Sequence, residues 1–549
     1  MLLRVIDAGS FAGDATWPTR LIALFVTLAG IFIAGSLIGL ISSAVDQRID
    51  ALGRSRVLER GHTLILGWSA RVPTIVSELV IANESEKRAA IVILAELDKT
   101  EVEETIRTTV PDLRTTRVVA RRGDPTRMAD LELVGIADAR SVVVMSGAEG
   151  DAGAIKTSLA VLGFELADVP IIVEMQSAAQ ADTLEAVTDE GVVTVNSDRV
   201  IAEVTAQACR ERGLSAVFRE LLDFDGDELY FREFPQLVGS TYAQAQQSFE
   251  RAAVIGVGTV DGPILNPPPD RPIGSEESLL ALVEDDSVFT LDRIAPMRDV
   301  AAATRIDDAP PQRVLMVGWS NLAPRVLKEL DEFLPAGSRV DVIVDPEFVD
   351  PEAARGQHRT VNATVEIQSF SGGPERLGDL LGDTDYAQAV LLGYREGISA
   401  DDADARTLLT LMALRMRWPK GQPPDIRLVA EVLDERNVPI AELADVDDFI
   451  VSEQLAGLML AQLSENVELR GVFDELFDAE GASLAMRPAR RFSSNGSATF
   501  GDIVAAGNRY RESVLGYRKA RSGEVVLNPG LSAVVPLEPD DEVIVVTTR

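Results

Sequence analysis

The stretch Thr63-Leu64-Ile65-Leu66-Gly67-Trp68-Ser69 recurs as Val314-Leu315-Met316-Val317-Gly318-Trp319-Ser320, with the two glycines 251 positions apart (318 − 67). Each copy reads as an apolar strand, a Gly-Trp-Ser turn and an amphipathic helix (75–81 and 326–333). Second strands are read at 90–95 and 339–344, fourth strands at 141–145 and 389–392, and fifth strands at 170–174 and 426–431. Strand-helix units at 192–209 and 449–463 close each copy. Strands alternating with helices predict a parallel, doubly wound α/β sheet in each half.

A smaller α+β lobe follows each sheet. Val254-Ile255-Gly256-Val257 leads to Leu265-Asn266-Pro267, as Val514-Leu515-Gly516-Tyr517 leads to Leu527-Asn528-Pro529. The expected units are 61–212 and 213–300, a linker at 301–311, then 312–470 and 471–549. Before them stand the end of a short pore-type helix with a filter-like loop (1–16), a membrane helix (17–42) and a linker helix (43–60).

The membrane helix rests on Leu21 to Ile41, 21 residues whose only polar members are Thr27 and Ser36. At about 1.5 Å per residue they span roughly 30 Å, a bilayer core. Arg48, Arg54, Arg56 and Arg60 follow, which places the C-terminal domains in the cytoplasm and the helix in the cell membrane. Gly30 and Gly35 are candidate gating hinges within it, against the plainer reading of small residues for close helix packing.

The chain carries 87 acidic against 52 basic residues, a formal net charge of −35. Such a surface repels nucleic acid and attracts cations. One cysteine, Cys209, excludes an internal disulfide and any cysteine-based metal site. His62 and His358 are the only histidines, and neither has a catalytic setting, so no enzyme is expected.

A dinucleotide turn requires G-x-G-x-x-G, because the second glycine lets the backbone approach the pyrophosphate. Here Ser69 and Ser320 stand at that second position, so each copy keeps only its first glycine. NAD(H) is therefore the lesser expectation. Its candidate residues are Gly67, Ser69, Arg71 and Glu96 in the first copy, and Gly318, Ser320 and Asp345 in the second. Asp401, Asp402 and Asp404 are candidates for Ca²⁺ or another divalent cation, since that ion takes six to eight oxygens from flexible loops. Acidic residues also favour helix N-termini without any ligand.

Asp7-Ala8-Gly9-Ser10-Phe11-Ala12 resembles the Ala-Asp-Ala-Gly-Asn-His-Ala filter of the Castor and Pollux channel family. The resemblance continues through Ser55-Arg56-Val57-Leu58-Glu59-Arg60-Gly61-His62 into the first Gly-Trp-Ser turn. The paired lobes resemble the regulator-of-potassium-conductance (RCK) domains of gating rings. The resemblance implies a ligand-gated cation channel subunit, a homotetramer, with Asp7, Ala8 and Gly9 in the ion filter. Ser10 and Phe11 depart from the family's Asn and His, so the permeant ion is not implied. The family's outer helix would precede Met1, so the chain is expected to be N-terminally short. The alternatives are a membrane-anchored regulator of a Trk-type potassium system and, less favoured, an NAD-binding enzyme.

Overall fold

The computed structural model describes residues 17, 18, 25, 29–33, 35–38, 40, 57, 59–164, 166, 169–189, 191–296, 310–382, 384–422, 426–444, 446–478, 481–492 and 498–548. Strand β1 (His62–Leu66) is buried at every position, as its apolar run demands of the centre of a parallel sheet. It pairs in parallel with β2 (Ala89–Ala95) on one side and β4 (Ala139–Val144) on the other. With β3 (Thr116–Arg122), β5 (Ile171–Met175) and β6 (Val193–Asn196), the sheet order is 3-2-1-4-5-6, a doubly wound arrangement.

The second half repeats this order with β11 (Arg313–Val317), β12 (Ser338–Val344), β13 (Ala363–Ser369), β14 (Gln388–Leu391), β15 (Arg427–Val432) and β16 (Asp448–Val451). Two four-stranded antiparallel sheets follow, one per half. The first joins β7 (Glu228–Glu233), β8 (Ala253–Thr259), β9 (Gly262–Leu265) and β10 (Ser278–Val283). The second joins β17 (Ala482–Pro488), β19 (Glu512–Arg518), β20 (Val525–Leu527) and β22 (Glu542–Thr548), the short β18 (Ala498–Thr499) and β21 (Val534–Val535) pairing apart.

The helices that matter for the site are those that leave β1 and β11 and those that close each sheet. Helix α1 (Val72–Ala82) and helix α4 (Ala323–Phe333) both carry a proline in their first turn, where the missing N–H is harmless. Helix α2 (Ser197–Arg210) closes the first sheet and leads to α3 (Leu214–Leu222). Helices α5 (Ala400–Arg417) and α6 (Val438–Leu443) flank β15, and α7 (Ser452–Glu465) closes the second sheet before α8 (Arg470–Phe477). The packing is crossed: α1 lies on α7 and α4 on α2. One apolar core therefore runs through both halves, from Ile75 and Leu79 to Leu458 and Phe473.

Among the described residues no helix is long and apolar enough to cross a membrane. Ten of the 21 residues of the expected span 21–41, including Leu21 and Ile41, lie outside them, as do the filter residues Asp7, Ala8 and Gly9. Gly30 and Gly35 are described, and both are helical. The helix expected over 43–60 does not reach Val57, Glu59 and Arg60, which are not helical. Val57 N–H donates to Leu133 O at 2.7 Å, and Gly61 N–H to Asp138 O at 2.7 Å, so this segment runs along the loop before β4.

Candidate functional site

Both Gly-Trp-Ser turns lie at the C-terminal ends of their sheets, where this topology places ligands. Each glycine answers a steric demand. Gly67 has φ +95°, and a Cβ there would stand 3.3 Å from Met145 O. At Gly318, φ is +92° and a Cβ would collide with Leu392 O. The first glycine of each turn thus lets the end of strand four approach, a structural role that holds without any ligand. The serines close their own turns: Ser69 Oγ accepts from Arg71 N–H at 3.3 Å, and Ser320 Oγ from Leu322 N–H at 3.3 Å.

The space beyond each turn is held by a buried glutamate on strand five. Glu174 accepts from Ser146 N–H at 3.0 Å and from Ser197 Oγ–H at 3.1 Å. Glu431 repeats both bonds, with Gly393 N–H at 3.0 Å and Ser452 Oγ–H at 2.6 Å. Each then takes an arginine. Glu174 pairs with Arg71 from the first turn, whereas Glu431 pairs with Arg395 from the loop after β14.

Both arginines also reach across to the other half. Arg71 Nε lies 2.9 Å from Glu453, in the first turn of α7. Arg395 feels the charge of Asp198, in the first turn of α2. Asn321 donates to Asp198 at 3.0 Å, and Arg325 donates to Asn196 at 2.6 Å. Carboxylates at these two helix N-termini are also favoured by the helix dipoles. Burial dominates the electrostatics: it lowers the Arg71 pKa and raises that of Asp198. Burial opposes ionisation of Arg395 most strongly too, but Glu431, Asp198 and Glu453 together outweigh it and the pKa rises.

The dinucleotide candidates divide accordingly. Arg71 is committed to carboxylates, and Glu96 is exposed at the end of β2 with no part in the network. In the second half Asp345 lines a small cavity of about 50 Å³ with Gly318, Tyr394 and Arg406. Its N–H donates to Tyr394 Oη at 2.8 Å, and Arg406 lies 3.6 Å from its carboxylate while stacking on the Phe348 ring at 4.4 Å. A neighbouring cavity of about 400 Å³ reaches Ser320, Asn321 and Arg395.

Asp401, Asp402 and Asp404 do open a helix, α5, but they do not converge on a common point. Among the described residues no group of three acidic, histidine or cysteine side chains could hold a metal ion. Asp404 is buried and caps the turn after β15, accepting from Leu433 N–H at 2.8 Å and Asp434 N–H at 3.0 Å. Asp402 is bonded to Ser399 and Asp401 is exposed.

Glu174 and Glu431 are the residues that sequence reading missed. The signal was present: a lone glutamate near the end of an apolar fifth strand, Ile-Ile-Val-Glu-Met and Leu-Val-Ala-Glu-Val, in both copies.

Two doubly wound units, each with a small antiparallel lobe and crossed against the other, define a tandem α/β module with the fold of a gating ring. The human SLO3 gating ring has the same fold, with a TM-score of 0.61 over 88% of this chain and 98% of that one at 13% identity. By sequence the chain is similar to the Castor and Pollux ion channels along nearly its whole length. The rice (Oryza sativa subsp. japonica) protein named Probable ion channel CASTOR is 27% identical over 96% of this chain, and Ion channel CASTOR of Lotus japonicus is 28% identical over 96%. The chain spans about two thirds of these relatives' length, 64% of the rice protein and 67% of the Lotus protein. The family described as "Castor and Pollux, part of voltage-gated ion channel" matches residues 198–298. The Calcium-gated potassium channel TvoK of Thermoplasma volcanium is 32% identical over 135 residues, 24% of this chain and 34% of that protein. These relatives are named as channels, in keeping with the expectation that the chain is no enzyme.

Proposed function

We propose that the chain is the regulatory portion, with the inner pore helix, of a ligand-gated cation channel subunit. The observation that carries this reading is the pairing of two crossed α/β units with exposed apolar residues in helical conformation before them. Phe25, Ile31, Phe32, Ile33, Leu37, Ile38 and Leu40 precede the units, and all are exposed by more than half. Bulky apolar side chains exposed in succession are costly in water and are at rest in lipid. The proposed place is the cell membrane, with both sheet units in the cytoplasm.

Subunit assembly is proposed to use the outer helices of the second half. Leu409, Met412 and Met416 recur at i, i+3 and i+7 on α5, and Ile440 and Leu443 on α6 are exposed as well. A second copy that covered this stripe would extend the chain toward a ring, and the family resemblance favours four subunits. Binding energy reaches the pore through the spacing of the two units: a ligand that favours one spacing shifts the whole population toward it.

For the ligand itself, the cavities beside Asp345 favour a nucleotide smaller than a dinucleotide, because arginines fill the ends of both fifth strands. Calorimetry with NAD(H), a mononucleotide and Ca²⁺ ranks the three, and Asp345→Ala should abolish any nucleotide heat. The reading as a channel is tested by cation flux into liposomes holding the chain together with any in-frame sequence before Met1. Flux that Asp7→Asn weakens supports it; the absence of flux with every ligand would overturn it.

A further inference from the structure

Three arginines, Arg210, Arg212 and Arg427, line a cavity at the N-terminal edge of the second sheet, the edge opposite the Gly-Trp-Ser turn. This cavity, of about 430 Å³, opens between the end of α2, the start of β15 and the strands β17 and β22 of the last lobe. A cavity of about 190 Å³ adjoins it and shares Arg210, Ala387 and Arg427. The carboxylates Glu211 and Glu542 also line the larger one.

Glu211 lies 3.7 Å from Arg210 of the same cavity, and both carboxylates also hold arginine partners outside its lining. Glu211 accepts from Met486 N–H and pairs with Arg487 at 3.2 Å, and Glu542 pairs with Arg518 at 3.0 Å. Asp447, buried behind the wall, pairs with Arg415 at 2.6 Å and with Arg212 at 3.4 Å. Arg427 differs from its neighbours. One Nη donates to Cys209 O at the end of α2, its Nε is buried without a hydrogen-bond partner, and it forms no ion pair among the described residues. Burial is the leading influence on it and lowers its pKa.

A desolvated guanidinium facing a cavity without its own carboxylate is an electrostatic debt that an anion settles, and its fork geometry matches a phosphate. The first half has no counterpart. Arg427 stands four residues before the buried Glu431, and four residues before Glu174 the chain has Pro170. The cationic position therefore belongs to the second half alone and is no by-product of the shared fold.

We propose that this cavity binds a phosphate-class anion, either free or as the phosphate chain of a nucleotide, and so ties the second sheet to the last lobe and to the end of α2. The site is separate from the Gly-Trp-Ser turns and stands whether or not the chain gates a pore. The test is titration calorimetry on the full chain in detergent with inorganic phosphate, pyrophosphate and ATP. Pyrophosphate is expected to bind, and Arg427→Gln should weaken it by about ten-fold or more, the scale of a lost charge-assisted hydrogen bond. Ala387→Glu places a carboxylate at an exposed edge of the same cavity and should weaken it too, so the proposal remains testable if Arg427→Gln does not fold. Equal affinity for pyrophosphate and ATP identifies a free polyphosphate site, whereas tighter ATP binding identifies a nucleotide site. The proposal is overturned if none of the three anions binds, or if a folded variant of either kind binds pyrophosphate as tightly as the natural chain.

Discussion

Glu174 and Glu431 show how much one buried charge can organise. Each collects a backbone N–H, a serine hydroxyl and an arginine from three different segments. Removing one partner of such a set leaves the rest buried and unpaired, at a cost of about 3–5 kcal/mol. Glu174→Ala should therefore lower the first thermal unfolding transition sharply. Arg71→Met combined with Glu174→Leu should recover part of that loss, because it removes the uncompensated arginine charge while Ser146 N–H and Ser197 stay without their acceptor. Scanning calorimetry of the two variants and the natural chain decides it.

Glu203 makes a second prediction at this scale. It sits on α2 facing α4, and burial raises its pKa to about 7, opposed by Arg199 at 2.6 Å and reinforced by Glu329. In the unfolded chain it titrates near 4.5. Between these values the folded state holds the extra proton, so the contribution is fully present below pH 4.5 and is lost as pH rises through about 7. The transition temperature of the natural chain should fall across that window relative to Glu203→Gln, in which the group cannot ionise. Parallel curves for the two proteins would disprove the assignment.

Among the elements, the crossed helices carry the joint between the halves. Gly457 on α7 meets α1 closely: a Cβ there would stand 3.1 Å from the Thr74 side chain and 3.5 Å from Arg71 O. Gly457→Leu should separate α1 from α7 and cost roughly 1–3 kcal/mol, as overpacking does. Because Arg71 shares the contact, faster proteolysis between the halves should accompany the loss of stability.

The same scale shows what the sequence made legible. The central strands, the turns and the repeat were readable because parallel strands buried on both faces are continuous apolar runs. The third strands were not, since Thr116–Arg122 and Ala363–Ser369 lie at sheet edges and mix exposed Arg, Thr and Glu with a few buried positions. The ion-pair site was hidden for a different reason. Arg71 and Arg395 lie at non-matching places in the two copies, so aligning the repeats does not reveal that they serve matching glutamates. Asp401, Asp402 and Asp404 were legible as a helix start and misleading as a metal site, because capping and metal binding draw on the same residue types.

At the scale of the whole molecule, the exposed stripe on α5 predicts association. Met412→Asp with Met416→Asp should leave the fold intact, since both side chains are exposed, 54% and 86% respectively. The variant should nevertheless lower the assembled mass measured by light scattering in detergent. An unchanged mass would move the subunit contact to another face.

The pairing of Arg71 and Arg395 with their glutamates bears on ancestry. Four residues after Gly318 the second copy has Leu322 where the first has Arg71, and two residues after Ser146 the first has Ala148 where the second has Arg395 beyond Gly393. If the halves descend from one duplicated unit, the carboxylate on strand five was inherited by both, and its cation was relocated in at least one lineage. The negative charge is then the older and more constrained partner, and exchanging a turn between the halves would carry an arginine to a place where one already stands, or remove the only one present.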